Sequence, residues 1–229
     1  MPYYIDYWYI ILVIPAIILS LIASAGVNST FKKYSKISSR MGLTGAESAR
    51  RVIQANGVYN VKIEPVGGNL TDHFDPKTNT IRLSESVYNA NTVAAVGVAA
   101  HEAGHAVQYA VGYSPMKLRT AIIPITNIGA SISWLLVLFG LLMSSYTLAM
   151  AGVLAFAFST LFQLVTLFVE FDASARAITA IEGMCATEEE VSGSKKVLRA
   201  AALTYVAALA LSLANLLRLF LIVNGRRRD

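Results

Sequence analysis

The dominant feature of the hydrophobic pattern is a run of 49 residues, Ala121 to Val169, without a single Asp, Glu, Lys or Arg. One helix needs roughly 20 apolar residues to cross a bilayer, so this tract is long enough for two crossings. Its polar break at Met143-Ser144-Ser145-Tyr146 predicts a helical hairpin, with spans at 121–143 and 147–169 joined by a short uncharged turn. A further apolar stretch covers 7–27, where Pro15 predicts a kink, and another covers 200–223. The pattern therefore predicts about four transmembrane helices and two polar regions, 28–119 and 170–199.

Within 28–119 the period changes. Thr44 followed three residues later by Glu47 is a capping-box pattern and predicts a helix that stops at Asn56-Gly57. Over 58–66, Val61 and Ile63 alternate with Lys62 and Glu64, which predicts a strand. Gly67-Gly68-Asn69 turns the chain into a second strand over 70–74. Asp75-Pro76-Lys77-Thr78-Asn79 turns it again into a short strand over 80–83. A small β hairpin or meander is expected. An Ala- and Val-rich helix follows over 91–110, with Asn91 as N-cap. Thr187-Glu188-Glu189-Glu190 starts another helix ahead of the last apolar stretch.

Composition and charge sharpen this picture. Of 229 residues, 55% are hydrophobic and 14% charged, against about 25% charged in a soluble domain. An ordinary soluble globule and a disordered chain are both excluded. The net charge of +5 would suit nucleic acid in a soluble protein. Here Lys32, Lys33, Lys36 and Arg40 follow the first apolar stretch, and Lys195, Lys196 and Arg199 precede the last. The charge therefore reads as membrane orientation, with no nucleic acid among the expected partners. Both polar regions are placed on the cytoplasmic side, and the N-terminus outside. Arg226, Arg227 and Arg228 dissent, because four spans put them outside. Alternatively the last helix, which carries Arg218, lies on the membrane surface. Residues 1–9 hold no Lys or Arg and include Asp6, so the basic segment of a cleavable signal is missing. Tyr3, Tyr4, Tyr7, Trp8 and Tyr9 suit an interfacial belt. The lone Cys185 excludes an internal disulfide and reads as a buried thiol.

The chemistry sits in His101-Glu102-Ala103-Gly104-His105. Histidines at i and i+4 share one helix face, so both imidazoles can reach one Zn²⁺. Glu102 is placed to take a proton from the attacking water. Ala103 and Gly104 keep the helix surface low. The pattern is only five residues long and arises by chance, but two of the three histidines in the chain fall in it. Two core histidines and a buried glutamate without a partner would be costly.

A catalytic zinc needs a third protein ligand. The candidates are His73 and Glu170. Glu170 is favoured, since it is the first charge after the apolar hairpin and the two spans return it to the level from which His105 departs. The plain alternative is a carboxylate at a membrane boundary. Asp172 and Arg176 are candidates for hydrogen bonds to the ligands or to substrate; as an i, i+4 surface ion pair they would contribute little. His73 can donate to a substrate carbonyl or be an ordinary loop histidine. The strands over 58–66 and 70–83 offer an edge to which an extended peptide can add.

These residues carry a resemblance. The chain resembles the YugP-type neutral zinc metallopeptidases of bacterial membranes over nearly its whole length. The most specific portions are Asp72-His73-Phe74-Asp75-Pro76 through Ile81-Arg82-Leu83-Ser84-Glu85, the stretch from Val93 to Ala106 around the two histidines, and Val169-Glu170-Phe171-Asp172-Ala173-Ser174. It is also similar in plan to HtpX-type membrane proteases, in which a membrane hairpin separates the HExxH helix from the glutamate ligand. The resemblance implies a small α+β zincin-like catalytic domain in a mainly α, polytopic protein of the cell membrane. It implies His101, His105 and Glu170 as zinc ligands and Glu102 as catalytic base; polypeptides are the expected substrates, and whether these are membrane proteins or soluble peptides is not implied. After the glutamate, HtpX-type proteins carry an Ala-Asp pair where this chain has Ala173-Ser174, and Asp172 is the expected substitute. Two other functions compete. A zinc-containing scaffold or adaptor without proteolysis would need four protein ligands, and His and Cys are in short supply. A metal transporter would need ionisable residues inside the spans, and 121–169 has none.

Overall fold

The computed structural model describes residues 6–184 and 186–225, with side chains except at 125, 127 and 130. Tyr3 and Tyr4 of the expected aromatic belt, Cys185 and Arg226 to Arg228 lie outside the described residues. The protein is mainly helical and forms two compact units. One comprises the chain up to Ala23, Leu118–Leu167 and Thr204 onward; the other comprises Ser24–Lys117 and Phe168–Leu203.

A π-helical turn, Tyr9–Val13, leads into helix α1, Ile14–Tyr34. Proline has no N–H to donate within a helix. The wider turn ends at Val13, two residues before Pro15, and the N–H of the capping Ile14 bonds to the Tyr9 carbonyl, five residues back. The disturbance expected at Pro15 is thus taken up as a change of helical register. Helix α2 covers Gly45–Ala55. Strands β1 (Lys62–Val66), β2 (His73–Asp75) and β3 (Thr80–Ser84) follow, then the short α3 (Glu85–Tyr88) and α4 (Val93–Ala110). Three long helices complete the chain: α5 (Ser114–Leu142), α6 (Tyr146–Gly183) and α7 (Glu188–Gly225).

Among the described residues, three helices are long and apolar enough to cross a membrane: Tyr9–Tyr34, Tyr146–Gly183 and Glu188–Gly225. A shorter apolar stretch, Ser131–Leu142, ends α5. The turn expected near Met143 is present. Ser144 adopts a positive φ of 53°, and the Ser145 N–H bonds to the Gly140 carbonyl at 2.8 Å.

In the first unit the usual distribution of polarity is inverted. Ile11, Leu21, Leu138, Leu154, Phe158 and Leu213 are exposed, whereas the hydroxyls of Thr160 and Ser212 pair with each other at 2.9 Å. Such a surface suits hydrocarbon rather than water. Helices α5 and α6 touch through small residues. A Cβ on Gly140 would collide with the backbone of Ala149, and one on Gly152 with the Ser133 carbonyl. This is how helices associate where no hydrophobic effect drives them together. Arg218, read above as a sign of a surface-lying helix, has a partner. Its Nε and Nη2 donate to Asp6 Oδ2 at 2.7 and 2.6 Å, and its guanidinium lies 5.2 Å from the Tyr9 ring centroid.

The second unit carries the sheet and α4. The capping box at the start of α2 forms as expected: Thr44 Oγ1 accepts from the Glu47 N–H at 3.3 Å, and Glu47 Oε2 accepts from the Thr44 N–H at 2.8 Å. The same device starts α7, where Glu190 Oε2 accepts from the Thr187 N–H at 2.9 Å. The other oxygen of Glu190 accepts from the Ser39 hydroxyl and the Arg40 N–H, both at 2.7 Å, tying the loop after α1 to the start of α7. The sheet order is β1-β3-β2, with β1 parallel and β2 antiparallel to β3. Only β2 and β3 form a hairpin. A meander would have paired β1 with β2, but β1 pairs with the buried β3 instead, whose Ile81 and Leu83 anchor the core. Helix α4 is capped by Thr92, not Asn91: the Thr92 hydroxyl accepts from the Ala95 N–H at 3.2 Å.

The Asp6–Arg218 pair yields a direct test. Arg218→Gln leaves a carboxylate without its partner and should cost on the order of 1–2 kcal/mol. The double change Asp6→Asn with Arg218→Gln should recover most of that loss. Unfolding of the purified protein in detergent measures both.

Candidate metal centre

Helix α4 is built from Ala, Val and Gly, and most of its positions are buried. A helix apolar on all sides is one that other elements cover. Helix α2 packs on it, with the Ser48 hydroxyl donating to the Val96 carbonyl at 3.3 Å. On another side α6 approaches closely. A Cβ added at Gly104 would lie 2.7 Å from the Ala173 carbonyl oxygen. Only glycine allows this approach, and it sets how near the side chains of the two helices come.

Three donor residues meet there. His101, His105 and Glu170 offer ligand atoms that all lie within 4.8 Å of one another, a spacing that could hold a metal ion. Glu170 Oε2 is 3.2 Å from His101 Nε2 and 3.5 Å from His105 Nε2. The rings stand edge to face, with centroids 4.7 Å apart. Glu170 is only 2% exposed. Glu102, beside His101 in sequence, is buried as well.

Each imidazole is held at its other nitrogen. His101 Nδ1 is 3.2 Å from the Ser174 hydroxyl, and His105 Nδ1 is 3.0 Å from Gln108 Oε1. Gln108 Nε2 donates to the Val169 carbonyl and to Asp172 Oδ2, both at 2.8 Å. Arg176 Nε donates to the same Asp172 oxygen at 2.6 Å. Burial works against charge on His105. The hydrogen bond and charge of Glu170, with the charge of Glu102 and the Gln108 bond, outweigh it and leave the imidazole pKa raised.

The residues singled out by sequence fall into two groups. His101, His105 and Glu170 converge, and Asp172 and Arg176 form their i, i+4 pair one step behind them. His73 does not join the cluster. It is exposed on β2, with Nδ1 2.8 Å from the Thr71 carbonyl. Two contacts were missed. Ser174, four residues after Glu170 on the same face, places its hydroxyl 3.2 Å from His101 Nδ1, whereas Asp172 bonds to Gln108 and Arg176. Gln108, three residues after His105 on the buried face of α4, was visible as a polar outlier in an apolar helix, but its reach to α6 was not.

A scan of protein families matches residues 9–224 to the family described as "Putative neutral zinc metallopeptidase". The chain is 48% identical to "Putative membrane protease YugP" of Bacillus subtilis (strain 168) over 221 residues, which cover 95% of this chain and 98% of that protein. No solved structure matches it.

Gly104→Ala should destabilise the protein by about 1–3 kcal/mol, the usual cost of overpacking. Because the colliding atom is a backbone oxygen, adding Ala173→Gly should restore nothing. Denaturant unfolding of the two variants decides it.

Proposed function

The chain belongs to the neutral zinc metallopeptidase family, and from that membership and the geometry of the triad we propose that it is a membrane-integrated zinc metalloendopeptidase. The observation that carries the reading is a convergence of acceptors. Gln108 presents a carbonyl oxygen to His105 Nδ1, so in the neutral ring His105 Nε2 points its lone pair at a carboxylate. Facing acceptors repel unless a cation or a proton lies between them. Two histidines and a glutamate form a donor set that zinc accepts, with a fourth position left open. With bonds of ~2.0–2.1 Å, tetrahedral ligand atoms sit about 3.3–3.4 Å apart; the separations of 3.2 and 3.5 Å fit.

His101, His105 and Glu170 would hold the ion. Zinc there supplies a Lewis acid that polarises the scissile carbonyl and makes water easier to deprotonate. Glu102 takes the proton of the attacking water and delivers it to the leaving amine. Burial of the site excludes bulk water from the carboxylates. An extended polypeptide can add to the exposed edge of β2, which packs on α4, and there it would meet His73.

The wider reading is a multi-pass protein of the cell membrane. It has about four spans, the N-terminus outside and the small α+β zincin-like catalytic domain facing the cytoplasm, where the basic residues after α1 and near the start of α7 favour retention. Its substrates would be polypeptides, membrane proteins among them, as in quality control or turnover. A closed structural zinc, as in a scaffold, would have a fourth protein ligand; the cluster among the described residues has three.

Glu102→Gln should abolish cleavage of a casein substrate while zinc stays bound at one ion per chain; His101→Ala should lose both. Metal analysis and a protease assay on the same preparations test the reading, which fails if Glu102→Gln still cleaves. Because the His105 pKa is raised, protons should begin to displace zinc above the ~6.5 of an ordinary imidazole. Zinc affinity measured against pH should fall on the acid side from that point.

A further inference from the structure

We propose that Gln108 is a positioning residue of the metal centre, which locks His105 in the tautomer that turns the Nε2 lone pair toward the ion; this deepens and rests on the zinc reading above. Gln108 has no solvent exposure. Its amide group lies among three neighbours at hydrogen-bond distance, and two of them can only accept. The Val169 carbonyl and Asp172 Oδ2, both 2.8 Å away, have no proton to give. The NH₂ end must therefore face them, and the carbonyl end must face His105 Nδ1 at 3.0 Å. An amide oxygen cannot donate, so Nδ1 must carry the proton. In the neutral ring Nε2 is then left bare on the side where Glu170 and His101 converge.

The chain of donors continues backward. Arg176 Nε donates to Asp172 Oδ2 at 2.6 Å and keeps that carboxylate an acceptor. Asp172 and Arg176 thus act on the centre through Gln108. The other histidine is held differently. The Ser174 hydroxyl at His101 Nδ1 can donate or accept, so it orients the ring without selecting a tautomer. The selection rests on Gln108 alone.

The test uses full-length protein purified in detergent. Zinc affinity is measured by chelator competition, and the His105 Nδ1 proton is followed by NMR of zinc-loaded protein carrying isotope-labelled histidine. Gln108→Leu removes the acceptor and should weaken zinc about 10–100-fold, the usual effect of losing a ligand's outer hydrogen bond. Its His105 Nδ1 proton should lose the protection seen in the wild type. Gln108→Glu sets carboxylate against carboxylate and should also weaken zinc. Gln108→Glu combined with Asp172→Asn reverses the donor between the two positions while keeping an acceptor at His105, and should recover part of the affinity, the Val169 carbonyl still facing a carboxylate oxygen. A residue that merely filled space would lower the unfolding temperature without this directional rescue. The proposal is overturned if Gln108→Leu binds zinc as tightly as wild type, or if the double variant is no better than Gln108→Glu alone. Wild-type protein that binds no zinc overturns the underlying reading as well, so the two failures are distinguishable.

Discussion

The close approach of α4 and α6 at Gly104 is the constraint on which the site depends. The histidines and Glu170 are separated by more than sixty positions in the chain. They come within ligand distance because one residue lacks a side chain and a neighbour carries only a methyl group. A bulky residue at either place would hold the helices apart by more than a histidine and a glutamate can span. The small-residue composition of α4 is therefore geometric as much as hydrophobic. It makes the helix thin enough for covering elements to place polar groups close to the two histidines.

That arrangement brings a charge into a place where it is expensive. A carboxylate as buried as Glu170 costs several kcal/mol unless it is paired. Two imidazoles meet it from α4, and each is held from behind by a further hydrogen bond. No member of this network is stable alone, which is why so few polar residues in an apolar environment end up in one cluster. Low dielectric strengthens the satisfied contacts and penalises the missing ones equally.

Much of this was legible from local pattern. The capping boxes at Thr44 and Thr187, the break at Met143 and the paired histidines are each set by neighbours within a few residues, and spacing alone reveals them. What escaped depends on contacts between distant segments. The parallel pairing of β1 with β3 is decided by which strand fills the core, and alternation within each strand does not encode it. Arg218 looked like a misfit in an apolar helix until Asp6 appeared beside it, more than two hundred residues away in sequence. Asn91 and Thr92 are both good capping residues, and it is the Thr92 hydroxyl that accepts from the Ala95 N–H. At Ser174 the sequence showed only a departure from the HtpX-type pattern; its hydroxyl reaches His101 Nδ1 from across the interface between α4 and α6.

The two histidines show that similar residues can be held to different standards. A hydroxyl behind His101 tolerates either ring tautomer and fixes only direction. An amide behind His105, itself pinned by two acceptors, imposes one proton arrangement. The difference follows from hydrogen-bond chemistry and not from distance, since the two contacts are 3.2 and 3.0 Å. It also explains why Gln108 must be buried. Water at its nitrogen would compete with Val169 and Asp172, the amide could turn over, and the order of donors leading to the ligand would be lost. The apolar packing of α4 thus preserves a direction of hydrogen bonding as well as a shape.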